Sequence, residues 1–103
     1  MIKGTTPTLQ FNLPIETSTL KAAEVMVRYV DNHKEVTIVR TLDECETTES
    51  TITARLTQEE TLLIPAPSVV EIQLRVLTLD DVALASSIFK TSVGRLLAEG
   101  VIE

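Results

Sequence analysis

Residues 69–77 read VVEIQLRVL, and this stretch is the clearest indication of fold in the chain. Apolar side chains at positions 70, 72, 74 and 76 alternate there with the polar side chains of Glu71, Gln73 and Arg75. A period of two with one apolar face is typical of a strand that is buried on one side. We therefore predict a half-buried strand whose apolar face lies in the core of a sheet protein.

A hairpin is predicted earlier in the chain. Residues 23–30 alternate in the same way, and residues 31–34, DNHK, interrupt the pattern. Asn tolerates the left-handed backbone that a tight hairpin requires, so we join this strand to a second one over residues 35–41. The side chains predicted to face inward are those of Val25, Val27, Tyr29, Val36 and Ile38.

Three further stretches alternate. Residues 8–13 end at Pro14, which cannot donate a ladder hydrogen bond and therefore suits the end of a short edge strand. Residues 50–56 form the next strand, and residues 83–93 form a long last strand. In the first of these strands Leu9, Phe11 and Leu13 share one face, and in the second Ile52, Ala54 and Leu56 face inward. In the last strand the side chains predicted to alternate with polar or small neighbours are Ala85, Ser87, Phe89, Thr91 and Val93.

One helical turn is predicted between the sheets. Residues 57–60, TQEE, match the capping box, in which the Thr57 hydroxyl accepts from the Glu60 N–H and the Glu60 carboxylate accepts from the Thr57 N–H. The turn extends from Gln58 to about Leu63, because prolines at positions 65 and 67 follow. Its predicted role is to carry the chain across from one sheet to the other.

These elements predict one all-β domain over residues 1–103. The β-branched residues Thr, Val and Ile make up about a third of the chain and favour pleated sheet. Strands at this spacing are typical of an immunoglobulin-like antiparallel β-sandwich with six or seven strands, although the Trp and paired Cys of antibody domains are missing. The predicted core includes Phe11, Val25, Val27, Tyr29, Ile38, Ile52, Leu56, Ile72, Leu74, Val76 and Phe89.

The composition argues against several classes of function. A net charge of −6 is unsuited to binding along a phosphate backbone, and no apolar run approaches the roughly 20 residues of a membrane helix. The three glycines lie in none of the familiar nucleotide-binding motifs. Residues 1–8 lack an apolar segment behind a basic start, so secretion is not predicted. We expect no nucleic acid, no membrane and no cofactor as partners.

Few residues offer chemistry. Cys45 is the only cysteine, and the neighbouring carboxylates of the sequence DECE disfavour the reactive thiolate. His33 lies at the predicted hairpin tip, and one His with one Cys is too few for a zinc site. Acidic clusters at residues 43–49, 59–60 and 80–81 lack the spacing of a calcium loop; they are solvated loops and a helix cap, or else a weak ion site. We expect no enzyme and assign no catalytic, cofactor-binding or metal-binding residue.

The candidates for a protein interface lie near the end of the chain and on the strongest strand. Leu96, Leu97, Val101 and Ile102 are unusually apolar for a free tail, so they dock either on the protein's own sandwich or on a neighbouring subunit. The polar side chains of Gln73 and Arg75 mark either a contact surface or an ordinary solvent-facing row. The arm of residues 1–8 is a candidate for strand addition to the sheet edge of a partner.

Several short motifs carry a family resemblance. They read GTTPT, LTQEETL, VEIQLRVLT, ALAS and SVGR, and begin at residues 4, 56, 70, 83 and 92. Together they resemble a group of short proteins of unknown function encoded in phages and prophages of gut Firmicutes. The middle pattern, from LTQEETL to the strand that follows it, is distantly similar to the N-terminal β-sandwich domain of phage baseplate upper proteins, in which an L-T-x-x-D-T segment precedes a strand. Glu60 stands where that pattern commonly has Asp, and residues 47–50 and 79–82 replace turns that contain glycine.

The resemblance implies a context and brings no site residue with it. It implies a non-enzymatic phage or prophage structural or accessory module that acts through protein–protein contacts and is associated with a tail or baseplate. The implied partners are other phage structural proteins or the chain itself, as a weak homo-oligomer. The location is the bacterial host cytoplasm when the protein is made, with the virion as a further destination. The alternative is a small acidic host-directed binding protein, which the charge of −6 suits.

Overall fold

The computed structural model describes residues 1–97 and 100–102, and it confirms an all-β sandwich. Two short 3₁₀ turns, at Thr17–Thr19 and Leu42–Glu44, accompany the strands and one helix. The strands and helix are β1 Thr8–Asn12, β2 Leu20–Asp31, β3 Lys34–Thr41, β4 Glu46–Thr47, β5 Thr51–Arg55, α1 Gln58–Leu62, β6 Ser68–Thr78, β7 Ala83–Ala85 and β8 Phe89–Val93.

The strands form two antiparallel sheets. One has three strands in the order β1-β5-β4. The other has five, in which β3, β2 and β6 are neighbours and both β7 and β8 pair with β6. The described residues therefore form eight strands instead of the six or seven predicted. One additional strand is β4, whose two residues are too few to show an alternating pattern, and the other arises because the long last strand is interrupted and forms β7 and β8.

A bulge divides that last strand. Arg75 lies opposite Ala85 and Ile72 lies opposite Phe89, so three steps along β6 match four steps along its partner. The extra residue reverses the alternation, which places Ala85 on the outer face of the sheet and Phe89 on the inner face. The prediction of one continuous alternation that includes both residues was wrong for this reason.

The hydrogen bonds of Ser86 hold the bulge. Its N–H donates to the carbonyl oxygen of Leu74 over 2.9 Å, and its hydroxyl accepts from the Leu74 N–H over 3.0 Å. The side-chain amide of Gln73 donates to the Ser86 carbonyl oxygen over 2.9 Å. Backbone groups that the interruption takes out of the ladder are paired again in this way.

The alternating faces predicted for β2, β5 and β6 form the core, which lies between the two sheets. Two clusters pack there, one around Val25, Ile52 and Leu74 and the other around Val27, Leu56 and Ile72. Leu20, the first residue of β2, and Ile64, which follows α1 and lies in no strand, are also buried. The remaining buried hydrophobic residues are Ala23, Tyr29, Ala54, Val70, Val76 and Val93.

Three residues of the predicted core are less buried than expected. Phe11 and Ile38 are half-buried, and Phe89 is 51% exposed. Each belongs to a strand at the edge of its sheet, where only one side of the strand has a neighbour. The rings of Phe11 and Phe89 lie 6.3 Å apart and shield each other at the open side of the sandwich.

The two local motifs are confirmed. Asn32 and His33 both have positive φ values, 51° and 68°, which is the backbone of a two-residue hairpin turn. At α1 the Glu60 N–H donates to the Thr57 hydroxyl over 3.1 Å, and the Thr57 N–H donates to the Glu60 carboxylate over 2.8 Å. None of the helices that the described residues form is long and apolar enough to span a bilayer.

Candidate interaction surface

The N-terminal arm lies beside β8 of its own molecule. The Met1 amino group donates to the Ser92 carbonyl oxygen, the Gly94 N–H donates to the Met1 carbonyl oxygen, and the Lys3 N–H donates to that of Gly94, over 3.0, 2.8 and 3.0 Å. Ile2 and Gly94 form a parallel bridge. The arm thus makes a strand addition within one chain, at the edge of the five-stranded sheet.

Gly4 is the point at which the arm, α1 and the C-terminal segment meet. Its φ is 75°, a left-handed conformation that favours glycine. A methyl group here would overlap the Leu96 side chain and would lie 3.0 Å from Leu62 Cδ2. Glycine therefore allows Leu96 to pack against the arm, and Leu96 is half-buried as a result.

The backbone beyond Gly100 is bound to α1. The Ile102 N–H donates to Gln58 Oε1 over 2.9 Å, and Gln58 Nε2 donates to the Ile102 carbonyl oxygen over 3.3 Å. This pair of hydrogen bonds positions the segment although it belongs to no strand or helix.

The apolar side chains of this segment are nevertheless largely in solvent. Leu97 is fully exposed, Ile102 is 82% exposed, and Val101 is exposed. We call Leu96, Leu97, Val101 and Ile102 the terminal patch. Leu96 and the Ile102 backbone pack on the protein's own chain, whereas Leu97, Val101 and Ile102 have exposed side chains, and docking on a neighbouring subunit stays a prediction.

The other two predicted interface residues lie on a different surface. Gln73 and Arg75 are on the outer face of the five-stranded sheet, in the middle of β6. Gln73 is half-buried and uses its amide to hold the bulge at Ser86. Arg75 is exposed, and its Nη1 lies 3.8 Å from Glu24 Oε2. The structure therefore does not bring these two residues together with the terminal patch.

The two residues considered for chemistry, Cys45 and His33, lie at the edge of the core and in a turn. Cys45 is half-buried and packs against the core; burial, assisted by the charge of Glu44, raises the pKa of its thiol and disfavours the thiolate. His33 is exposed at the hairpin tip. Within residues 1–97 and 100–102, no three His, Cys, Asp or Glu side chains are grouped closely enough to hold a metal ion.

An ion pair between Arg40 and Glu60 is a feature that the sequence analysis missed. Arg40 lies on the inner side of β3, at the same parity as Val36 and Ile38, and its guanidinium pairs with the Glu60 carboxylate of α1. Arg40 Nε also donates to the Arg55 carbonyl oxygen over 3.3 Å. A charged residue at an inward position of β3 was the signal that could have indicated this contact.

The same ion pair changes the acidity of Glu60. Burial opposes ionisation of this carboxyl, but the hydrogen bonds from Arg40 and Thr57 favour the charged form and outweigh it. The net effect is a lowered pKa for Glu60. The pair joins β3 of one sheet to the helix that follows β5 of the other, so its role is structural.

Two concavities accompany these surfaces. A groove of about 390 Å³ runs between β1 and β8 and is lined by residues that include Leu9, Phe11 and Phe89. A smaller depression of about 200 Å³ lies on the outer face of the five-stranded sheet, next to Met26 and Ile88.

Comparison with known proteins identifies no relative. No protein-family model matches the chain, no curated protein matches it, and no solved structure matches it.

Proposed function

We propose that the protein is a non-enzymatic structural or accessory module of a phage or prophage, which acts through protein–protein contacts. The terminal patch is the observation that carries this proposal. Its partners are other phage structural proteins, of a tail or baseplate, or further copies of the chain. The motif resemblance described above supplies the phage context.

The exposure of Leu97, Val101 and Ile102 supports a role in binding. Exposed apolar side chains on neighbouring residues mark contact sites more often than isolated ones do. The backbone of Ile102 in this patch is held by Gln58, so a partner would meet one apolar residue whose backbone is already positioned. Such ordering lowers the entropic cost of association.

The genes that flank this one provide the first test. Neighbouring tail or head–tail genes would support the proposal. The products of those genes would then be co-expressed with the chain, and we expect a complex whose affinity falls at least about tenfold in the variant Leu97→Ser with Ile102→Ser, a loss of about 1.4 kcal/mol.

The matched control is Val82→Ser, which removes an exposed apolar side chain from the turn between β6 and β7. This control should bind like the unaltered chain. Binding that is unchanged in the Leu97 and Ile102 variant, or no binding to any neighbouring gene product, would contradict the proposal.

One observation favours the alternative, a small acidic host-directed binding protein. Asp43, Glu44, Glu46 and Glu49 are exposed, and the ion pairs found among the described residues use none of them. A surface of this kind suits a basic partner, and its binding would weaken with added salt. Early regulatory genes beside this one would support the alternative over the structural module.

A further inference from the structure

The outer face of the five-stranded sheet carries a regular arrangement of charge. In the middle of β2 the outward side chains are Glu24, Met26 and Arg28, and directly opposite them on β6 lie Arg75, Gln73 and Glu71. The face thus has three rows across the strands. The first row is Arg28 with Glu71 and, on β8, Lys90; the middle row is Met26 with Gln73; the third is Glu24 with Arg75 and, on β7, Ala85.

The two charged rows have opposite order. In the first row β2 carries the positive charge and β6 the negative one; in the third row β2 carries the negative charge and β6 the positive one. Consider a second copy packed face to face on this sheet and related by a two-fold axis that runs parallel to the middle row. This rotation places each strand over the same strand of the second copy, and it places the first row over the third row. Arg28 then faces Glu24 of a second copy, and Glu71 faces Arg75 of that copy.

The middle row is apolar enough to form the centre of such an interface. Val39 of β3 lies opposite Met26 and is 41% exposed. Ile88, in the bulge, is 54% exposed and lines the depression beside Met26 and Gln73. The same rotation places Met26 over Met26 and Val39 over Val39, so apolar side chains meet apolar side chains.

We propose that this face is a self-complementary interface at which two copies of the chain pack sheet against sheet. An isologous contact uses the same patch on both subunits, so each of the two opposite-charge contacts occurs twice. The partner is a second copy of this chain because the charge pattern is complementary to itself. This interface is independent of the terminal patch and of the partner proposed for that patch.

The charges form a network across the two copies. Arg28 already pairs with Glu35 on its own sheet, and Arg75 lies beside Glu24. In the dimer, Arg28 would also meet Glu24 of the second copy, which extends the row of alternating charges from one chain into the other. Networks of this kind contribute more than isolated exposed ion pairs, and they set orientation.

The area of the face is sufficient for a specific dimer. Strands lie about 4.8 Å apart and rise about 3.3 Å per residue, so four strands over ten residues cover about 19 by 33 Å, or about 600 Å². Two such faces bury about 1,200 Å², which exceeds the roughly 1,000 Å² that a specific interface needs. Packed sheets rotate by about 30° relative to each other, a shift that long Arg and Glu side chains can span.

Charge reversal tests the interface. We expect light scattering behind size exclusion to give the mass of two chains for the unaltered protein. The acidic variant Arg28→Glu with Arg75→Glu and the basic variant Glu24→Lys with Glu71→Lys should each be monomeric, because like charges then face each other. An equimolar mixture of these two variants should recover the dimer.

The control is Lys34→Glu with Arg55→Glu, two exposed residues outside this face, which changes the net charge as much as the acidic variant does. The control should remain dimeric, and so should the variant Leu97→Ser with Ile102→Ser, which separates this interface from the terminal patch. A monomeric unaltered protein, a mixture that stays monomeric, or equal loss of the dimer in the charge control would overturn the proposal.

A cross-link tests the orientation. On a Cys45→Ala background, Val39→Cys should form a disulfide-linked dimer under mild oxidation, because the rotation places position 39 over its own copy. Val82→Cys, at a position of the β6–β7 turn that is at least as exposed as position 39, should not. Cross-linking at position 82 but not at position 39 would overturn the proposed axis.

Discussion

Thr57 caps the N-terminus of α1 with its side chain. Its hydroxyl accepts from the Glu60 N–H over 3.1 Å, and its own N–H donates to the Glu60 carboxylate over 2.8 Å. The helix it begins is also tied to the arm, since the buried Thr61 hydroxyl donates to the Thr5 carbonyl oxygen over 2.7 Å. Because α1 has only five residues, its own backbone hydrogen bonds are too few to stabilise it. The contacts of Thr57 and Thr61 supply the additional stabilisation.

Replacement of Thr57 by Ala should therefore lower the free energy of unfolding by about 1 kcal/mol, as the loss of an N-cap does. Urea denaturation measures this loss. The matched control is Thr53→Ala, in the preceding strand β5, where no cap is removed and a much smaller effect is expected. Equal losses for both variants would mean that the cap contributes nothing beyond its side-chain volume.

The Arg40–Glu60 pair acts at the scale of elements, because it joins β3 to α1. The folded-state pKa of Glu60 is lowered, so its carboxylate stabilises the fold above its unfolded pKa of about 4.3. That stabilisation is lost as the pH falls through the lower, folded pKa. Glu44 acts in the same direction, since hydrogen bonds from Thr41 lower its pKa as well.

The variant Arg40→Gln should lose about 1.5 to 3 kcal/mol at neutral pH, the range for a hydrogen bond to a charged group. The difference between this variant and the unaltered protein should shrink as the pH falls below about 4.3. Urea denaturation over a pH series measures both quantities, with the exposed Arg55→Gln as the control. A difference that stays constant down to the lowest pH would contradict the assigned role of Glu60.

At the scale of the whole molecule, stability depends on the core between the two sheets. Leu74 lies on the inner face of β6, the strand that pairs with β2, β7 and β8. Its side chain is buried in the core cluster around Val25 and Ile52. Leu74→Ala should cost about 2 to 5 kcal/mol of unfolding free energy. Val69→Ala, on the exposed face of the same strand, should change it by less than about 0.5 kcal/mol. A loss for Leu74→Ala no larger than that of the control would mean that the faces of β6 are reversed.

The sequence by itself determined the local features of this protein. The alternation of residues 69–77 predicts β6 and its buried face, DNHK predicts the hairpin, and TQEE predicts the capped turn. Each depends on side chains within a few residues of one another and on the two-residue period of a strand. Most of the core followed from the same alternation, with exceptions at the sheet edges and at the buried residues Leu20 and Ile64.

The tertiary structure alone decided where the regular pattern stops and which distant residues meet. The bulge at Ser86 depends on hydrogen bonds to β6, so no local pattern marks the reversal between Ala85 and Phe89. The Arg40–Glu60 pair and the anchoring of Ile102 by Gln58 join residues 20 and 44 positions apart. The charge rows of the outer face likewise exist only because β2 and β6 pair in one particular register, which non-local contacts between the strands determine.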